Sequence, residues 1–253
     1  MPVLLAKRLY EKHLLSVVIV LQGSKERFGF AGDVVYETSP GKAGTVIKLL
    51  QRNEIKKLLM IGKIDKQAFI ERKGFDLKAL RLIRQIKDGN DMSIFNVIQK
   101  ELNKIGIEIL PQDLYIKDMI ASQGQITKRK PSKPEMIDAE FGIRYARQLA
   151  SMDIGQVVIV KNKVITAVEA VEGTNNTIKR GALPGQSGFV VCKAARSNQD
   201  TRFDIPSVGM DTIKAMADNN CTVLALEAGK IIMMNPEEVI SFADSKRISI
   251  IGL

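Results

Sequence analysis

A chain of 253 residues with 45% apolar side chains can bury a sizeable core, either as one large α/β domain or as two smaller ones. Two cysteines, Cys192 and Cys221, exclude a disulfide framework and fit a reducing compartment, so a cytoplasmic location is expected. The net charge of +10 favours anionic partners, yet the lysines are scattered among acids and only 5% of residues are aromatic, with no Trp. Few stacking platforms remain for bases, and no nucleic-acid partner is expected.

In chain order, 2–12 has helical spacing and ends near His13, the sole histidine. With one imidazole, Ser-His or Cys-His catalysis and a zinc site both lack their usual nitrogen. Any bound metal would have oxygen ligands, which points to Mg²⁺ with Mn²⁺ as the alternative. Residues 16–21 form a β-branched strand inside an apolar run far shorter than the roughly 20 residues of a membrane span. No signal-peptide pattern precedes it. A helix over 41–51 and a strand over 57–61 follow, with a polar exit at Gly62, Lys63 and Asp65. Loops past strand ends are where parallel sheets place ligands, which makes Lys63 a candidate contact. Helices are predicted over 77–87 and 92–105 and a short strand over 107–110, the alternation of a parallel α/β sheet.

From 123 to 133 the apolar period disappears into Gly, Thr, Lys, Arg, Pro and Ser. This divides the chain into an N-terminal domain over 1–128, a linker over 129–134 and a C-terminal domain over 135–253. A helix over 135–150 places Ile137, Phe141, Tyr145 and Leu149 on one stripe, the expected core face. Strands are predicted over 156–160, 164–171, 188–193, 222–226 and 230–233, and helices over 212–218 and 236–245, the latter capped by Asn235 with Pro236 in its first turn.

Three stretches of the C-terminal half bear chemistry. In 199–204, Gln199-Asp200-Thr201-Arg202-Phe203-Asp204, an extended strand would project Asp200, Arg202 and Asp204 from one side. Two carboxylates beside a guanidinium suit a hard metal held against a phosphate that arginine grips bidentately; the same pattern also fits an ion-paired edge strand ended by Pro206. In 168–180, Gly173 permits a tight turn, Thr174 would cap a helix whose N-terminus faces an anion, and Lys179 and Arg180 add charge. Lys193 closes a strand after a loop, 181–188, with three glycines that wraps a phosphate or merely turns the chain. Asp153, Gly155 and Gln156 open a strand, and Glu227 with Gly229 reads as a hairpin corner.

Taken together, Glu172-Gly173-Thr174, Lys193-Ala194-Ala195, the run Gln199 to Pro206, Gly209 with Thr212, and Glu227-Ala228-Gly229 resemble the ordered motifs of the LpxI-type UDP-2,3-diacylglucosamine pyrophosphatases of lipid A biosynthesis. Asp153 to Gln156 and Thr127 to Ser132 fit the same pattern. The resemblance implies a Rossmann-like N-terminal domain and a C-terminal α/β domain enclosing the lipid substrate. It also implies hydrolysis to UMP and 2,3-diacylglucosamine 1-phosphate with Mg²⁺. The essential aspartate of the family falls on Asp204, which with Asp200 would ligate the metal or orient the water; Arg202, Lys193 and Arg180 would contact phosphate, with Glu172, Gly173, Thr174 and Gln199 beside the substrate. Family members begin with a strand and an Ile-Ala-Gly-x-Gly-x-Leu-Pro loop, whereas this sequence starts Met1-Pro2-Val3, so a sheet without that first strand is expected. Contact with the inner membrane surface and a symmetric homodimer are further expectations. A second reading is a non-catalytic module for an anionic lipid or nucleotide sugar, a decayed relative without that loop. A nicotinamide-dependent enzyme is excluded for want of Gly-x-Gly-x-x-Gly and its acidic partner.

Overall fold

The computed structural model describes residues 1–21, 29, 32–62, 74–86, 91–197 and 199–253. The chain divides into two compact units, Met1–Tyr115 with Thr201–Phe203, and Ile116–Asp200 with Asp204–Leu253.

In the first unit, helix α1 (Pro2–Glu11) starts with proline in its first turn and buries Leu5, Ala6 and Leu9. Strands β1 (Val17–Val20) and β2 (Val34–Glu37) pair in parallel, Val17 opposite Val34. Helix α2 (Ala43–Arg52) leads to β3 (Lys57–Leu58), which pairs in parallel with β4 (Glu108–Ile109). Between them lie α3 (Leu77–Ile83) and α4 (Asp91–Lys104). Asp76 starts α3 by accepting the Ala79 N–H at 2.8 Å, and its second oxygen accepts the Gly44 N–H of α2 at 2.8 Å, so one carboxylate ties two helices. Leu50, Phe95, Leu102, Ile107 and Ile109 form the core, with Phe203 packed against it. The 3-10 turn Gln112–Tyr115 holds Gln112, whose amide donates to the carbonyls of Met60 and Phe203.

The second unit is built on a mixed six-stranded sheet. After the 3-10 turn Lys117–Met119 come β5 (Gly124–Gln125), α5 (Lys133–Ser151), β6 (Val157–Lys161), β7 (Val164–Val168), α6 (Thr174–Gly181) and β8 (Phe189–Lys193). There follow β9 (Ser207–Val208), α7 (Met210–Asp218), β10 (Cys221–Leu226), β11 (Ile232–Met233), α8 (Pro236–Ser245) and β12 (Ser249–Gly252). The order is β5-β12-β10-β8-β6-β7; β8, β10 and β12 run parallel, and β6, β7 and β5 are antiparallel to their neighbours. β9 and β11 form a separate parallel pair. The parallel strands are joined through α7 and α8, as parallel pairing requires long crossovers. Alternate residues of the central strands enter two cores. Ile159, Val191, Leu224 and Ile250 meet Ile178, Ile213, Met216 and Val239 of α6, α7 and α8. Val158, Val160, Val190, Cys192 and Val223 meet α5 on the other face. Burial on both faces explains why these strands read as unbroken apolar runs.

Helix α5 corrects the expected core face. It turns Ala139, Gly142, Ile143, Ala146, Leu149 and Ala150 to the sheet; of the predicted stripe, Leu149 is buried there and Phe141 packs against the same core, whereas Ile137 and Tyr145 are 45% and 39% exposed. A spacing of four residues drifts about 40° per step around a helix of 3.6 residues per turn, so four such positions do not share a face. The small residues decide it: a β-carbon on Gly142 would stand 2.4 Å from the Cys192 sulfur, so the backbone lies too close for a Phe. Residues 129–134, expected as a linker, are bound into the second unit. The Arg129 guanidinium donates to both oxygens of Glu135 at 2.7 Å and to Ser249 at 2.7 Å, and the Glu135 carboxylate accepts the Ser132 N–H that opens α5. The β6–β7 hairpin turns on Asn162 and Lys163 at φ 51° and 59°, a geometry held because Asp138 accepts both their N–H groups at 2.7 Å.

Candidate active site

The carboxyl ends of β8 and β10 define one edge of the six-stranded sheet, and antiparallel β6 and β7 bring the start of the former and the end of the latter to the same edge. Lys193, last residue of β8, is 7% exposed. Its ammonium donates to the Ser207 carbonyl at 2.8 Å and to the Thr174 hydroxyl oxygen at 3.3 Å. Burial pushes its pKa down, and the carboxylates of Glu169 and Asp204 push it back up. Lys193, Thr174 and Asp204 are thus brought together, as are Gln199 and Asp204: the Gln199 amide donates to the Asp204 carbonyl at 2.7 Å, with the Asp204 carboxylate at 3.4 Å.

The stretch 199–204 is a turn and not the expected extended strand. The Asp204 N–H donates to the Asp200 carbonyl at 3.2 Å, so side chains do not alternate across a pleat. Arg202 and Phe203, predicted on opposite sides, both approach Phe95 in the first unit, the guanidinium 5.4 Å from the ring centroid and the Phe203 ring at 5.2 Å. Packing of Phe203 into an apolar core outweighs the local β pattern.

At the start of α6 the capping residue is Gly173 and not Thr174. Gly173 adopts φ 80°, which a β-branched residue resists. Thr174 therefore enters the first turn and spends its hydroxyl hydrogen on Glu169 at 2.8 Å. Glu172 accepts from Arg180 at 2.5 Å and from the Ala170 N–H at 3.1 Å, and the Arg180 hydrogen bond holds its carboxyl below the usual range. Arg180 also donates to the Val168 carbonyl at 2.8 Å, tying α6 to the end of β7. Asp153 pairs with Arg196 at 2.5 Å. Lys63 lies outside the described residues.

Glu227 is likewise no hairpin corner. β10 and β11 belong to different sheets, and Glu227 is 5% exposed. It accepts the Ala195 N–H at 2.9 Å, Arg147 at 3.0 Å and Lys230 at 2.9 Å, and so anchors the loop that leaves β8. Glu169 and Ser207 were not singled out in the sequence. Glu169 sat inside an apolar strand pattern, and Ser207 contributes a backbone carbonyl that any residue carries.

Among the described residues, no group of three or more His, Cys, Asp or Glu side chains is arranged to hold a metal ion. No described helix is long and apolar enough to cross a membrane.

The molecule is a two-unit α/β protein whose second sheet presents a buried lysine, a threonine and carboxylates at its strand ends. Such a set has the chemistry to receive an anion. Residues 1–119 match the family model for the LpxI N-terminal domain and residues 122–251 that for the LpxI C-terminal domain, and the chain belongs to the LpxI family. It is similar to the UDP-2,3-diacylglucosamine pyrophosphatase LpxI of Caulobacter vibrioides (strain ATCC 19089 / CIP 103742 / CB 15), at 28% identity over 224 residues that cover 84% of this chain and 80% of the relative.

Proposed function

We propose that this chain is a UDP-2,3-diacylglucosamine pyrophosphatase, as its Caulobacter relative is named, and that it releases UMP and 2,3-diacylglucosamine 1-phosphate. The observation that carries the reading is the convergence of Lys193, Thr174 and Asp204 at one sheet edge of a chain matched along its length by LpxI models. A pyrophosphate brings negative charge, and a mostly buried ammonium meets it with little competing water. The first turn of α6, which carries no side-chain cap, has N–H groups to offer an anion. Arg180 is assigned to phosphate oxygens, and Glu172, Gly173, Thr174 and Gln199 to the surroundings of the substrate.

In the proposed reaction Asp204 orients a water toward the phosphorus nearer the sugar. A new P–O bond forms to that water, whose protons are released to solvent, and the bridging P–O bond breaks with its electron pair leaving on UMP. Mg²⁺ commonly takes one or two carboxylates together with waters and substrate phosphate oxygens, and Asp200 and Asp204 would be the carboxylates to hold it. When bound, the ion supplies charge stabilisation to the phosphoryl oxygens. Lys193 holds its proton and a phosphate oxygen, and the Gln199 amide keeps the Asp204 backbone in place.

Turnover of UDP-2,3-diacylglucosamine with Mg²⁺ in ¹⁸O water tests the reading: label is expected in the sugar 1-phosphate. No UMP release, or label in UMP alone, would overturn it. Tight lipid binding without turnover would establish a binding module instead.

A further inference from the structure

We propose that Glu169, just past the end of β7, is a positioning residue that fixes Thr174 and, through its hydroxyl oxygen, Lys193 for the substrate phosphate. The proposal rests on the pyrophosphatase reading of the site.

Both oxygens of Glu169 are directed. One accepts the Gln156 N–H at 2.9 Å and the other the Thr174 hydroxyl at 2.8 Å. A hydroxyl has a single hydrogen, so with that hydrogen on Glu169 the oxygen of Thr174 presents lone pairs, and Lys193 donates to it at 3.3 Å. The chain Lys193 to Thr174 to Glu169 therefore runs in one direction. Lys193 has three N–H bonds; among the described residues two are given to the Thr174 hydroxyl oxygen and the Ser207 carbonyl at 2.8 Å, and the third is the one for a phosphate oxygen.

A close backbone crossing makes this possible. A β-carbon on Gly155 would stand 2.1 Å from the Glu169 carbonyl oxygen, so a side chain there would push apart the segments that bring the Gln156 N–H to Glu169.

Charge supplies the reason for a dedicated carboxylate. The groups facing Lys193 are Glu169 beyond β7, Asp204 on the loop, the Thr174 hydroxyl of α6 and the Ser207 carbonyl of β9. Burial alone favours a neutral amine, and two carboxylates oppose it.

The test is Glu169→Gln in the full-length protein, read by the pH profile of turnover and by ¹³C NMR titration of Lys193 in lysine-labelled protein, assigned with Lys193→Met. The expected result is a kcat lowered about tenfold to a hundredfold with a smaller change in KM. Lys193 titration and the alkaline limb of kcat should move down together by on the order of one pH unit. An unmoved Lys193 titration in folded Glu169→Gln would overturn the proposal. The titration arm needs no turnover, so if the wild-type chain hydrolyses nothing, the pyrophosphatase reading falls while the Lys193 shift still decides the role of Glu169. Should Glu169→Gln fail to fold, Thr174→Val keeps the charge and breaks the relay; a lowered kcat with Lys193 titrating as in wild type supports the proposal, and an unchanged kcat overturns it.

Discussion

The ammonium of Lys193 reaches the hydroxyl oxygen of Thr174 at 3.3 Å, so the end of β8 and the first turn of α6 share a hydrogen bond across the edge of the sheet. That contact joins two separate sequence motifs in the proposed site, and it is most directly probed at the lysine. Lys193→Met is expected to abolish turnover without lowering Tm at pH 7, because a buried ammonium gives up hydration that a thioether never had. The folded-state pKa of Lys193 lies below its ordinary 10.5, so the protonated form costs stability below the folded value. That cost disappears as the pH rises toward 10.5. Thermal melts across this range should show the gap between Lys193→Met and wild type narrowing with pH.

Asp204→Ala should reduce turnover by at least about a thousandfold, as loss of a group acting in the transition state does. The loop is expected to persist, since Gln199 grips the carbonyl of residue 204 and not only its side chain. Steady-state kinetics beside a circular dichroism spectrum separates the two effects. Surviving activity would move the water-orienting group elsewhere.

Chelation offers an independent check on the metal. Turnover is expected to vanish in EDTA and to return with Mg²⁺ or Mn²⁺, in keeping with an all-oxygen donor set. Activity that persists in EDTA would remove the ion from the mechanism.

Acid stability should depend on Glu135. Burial pushes its pKa up, but hydrogen bonds from Thr222, Ser132 and Arg129 prevail and hold it below the ordinary 4.5. Its contribution is therefore complete above pH 4.5 and is withdrawn as the pH falls through the lower folded-state value. Glu135→Gln is expected to cost about 2–3 kcal/mol at neutral pH, since it leaves Arg129 without its partner. Urea unfolding at pH 7 and pH 3 would show the difference shrinking at the lower pH.

The facing of α5 can be tested by opposite substitutions. Ile137→Lys, on the solvent side, should change stability by no more than about 0.5 kcal/mol. Gly142→Leu, against Cys192 and Val160, should cost about 3 kcal/mol or prevent folding, because the sheet cannot retreat from a close-packed face. Equal effects would contradict the packing described.

Much of the fold was legible locally. Strands β6, β8 and β10 announce themselves as apolar runs, and α8 by Pro236 after Asn235. Of the site, Thr174, Lys193, Gln199 and Asp204 were found as motifs and do meet. What failed had two causes. The face of α5, the turn at 200–204 and the burial of Glu227 are each decided by a neighbour distant in sequence, Cys192, Phe95 and Arg147, whereas the cap at Gly173 follows from its own φ of 80°, which spacing alone does not reveal.

Sequence by itself therefore determined the α/β alternation, the apolar strands and the ordered motifs by which family membership was first read, because these depend on residue type and spacing. Tertiary structure decided which carboxylate serves which cation. Hydrogen bonds and charge act over a few ångströms in space, and only folding brings Glu169 to Thr174, Thr174 to Lys193, and Lys193 within reach of the charge on Asp204.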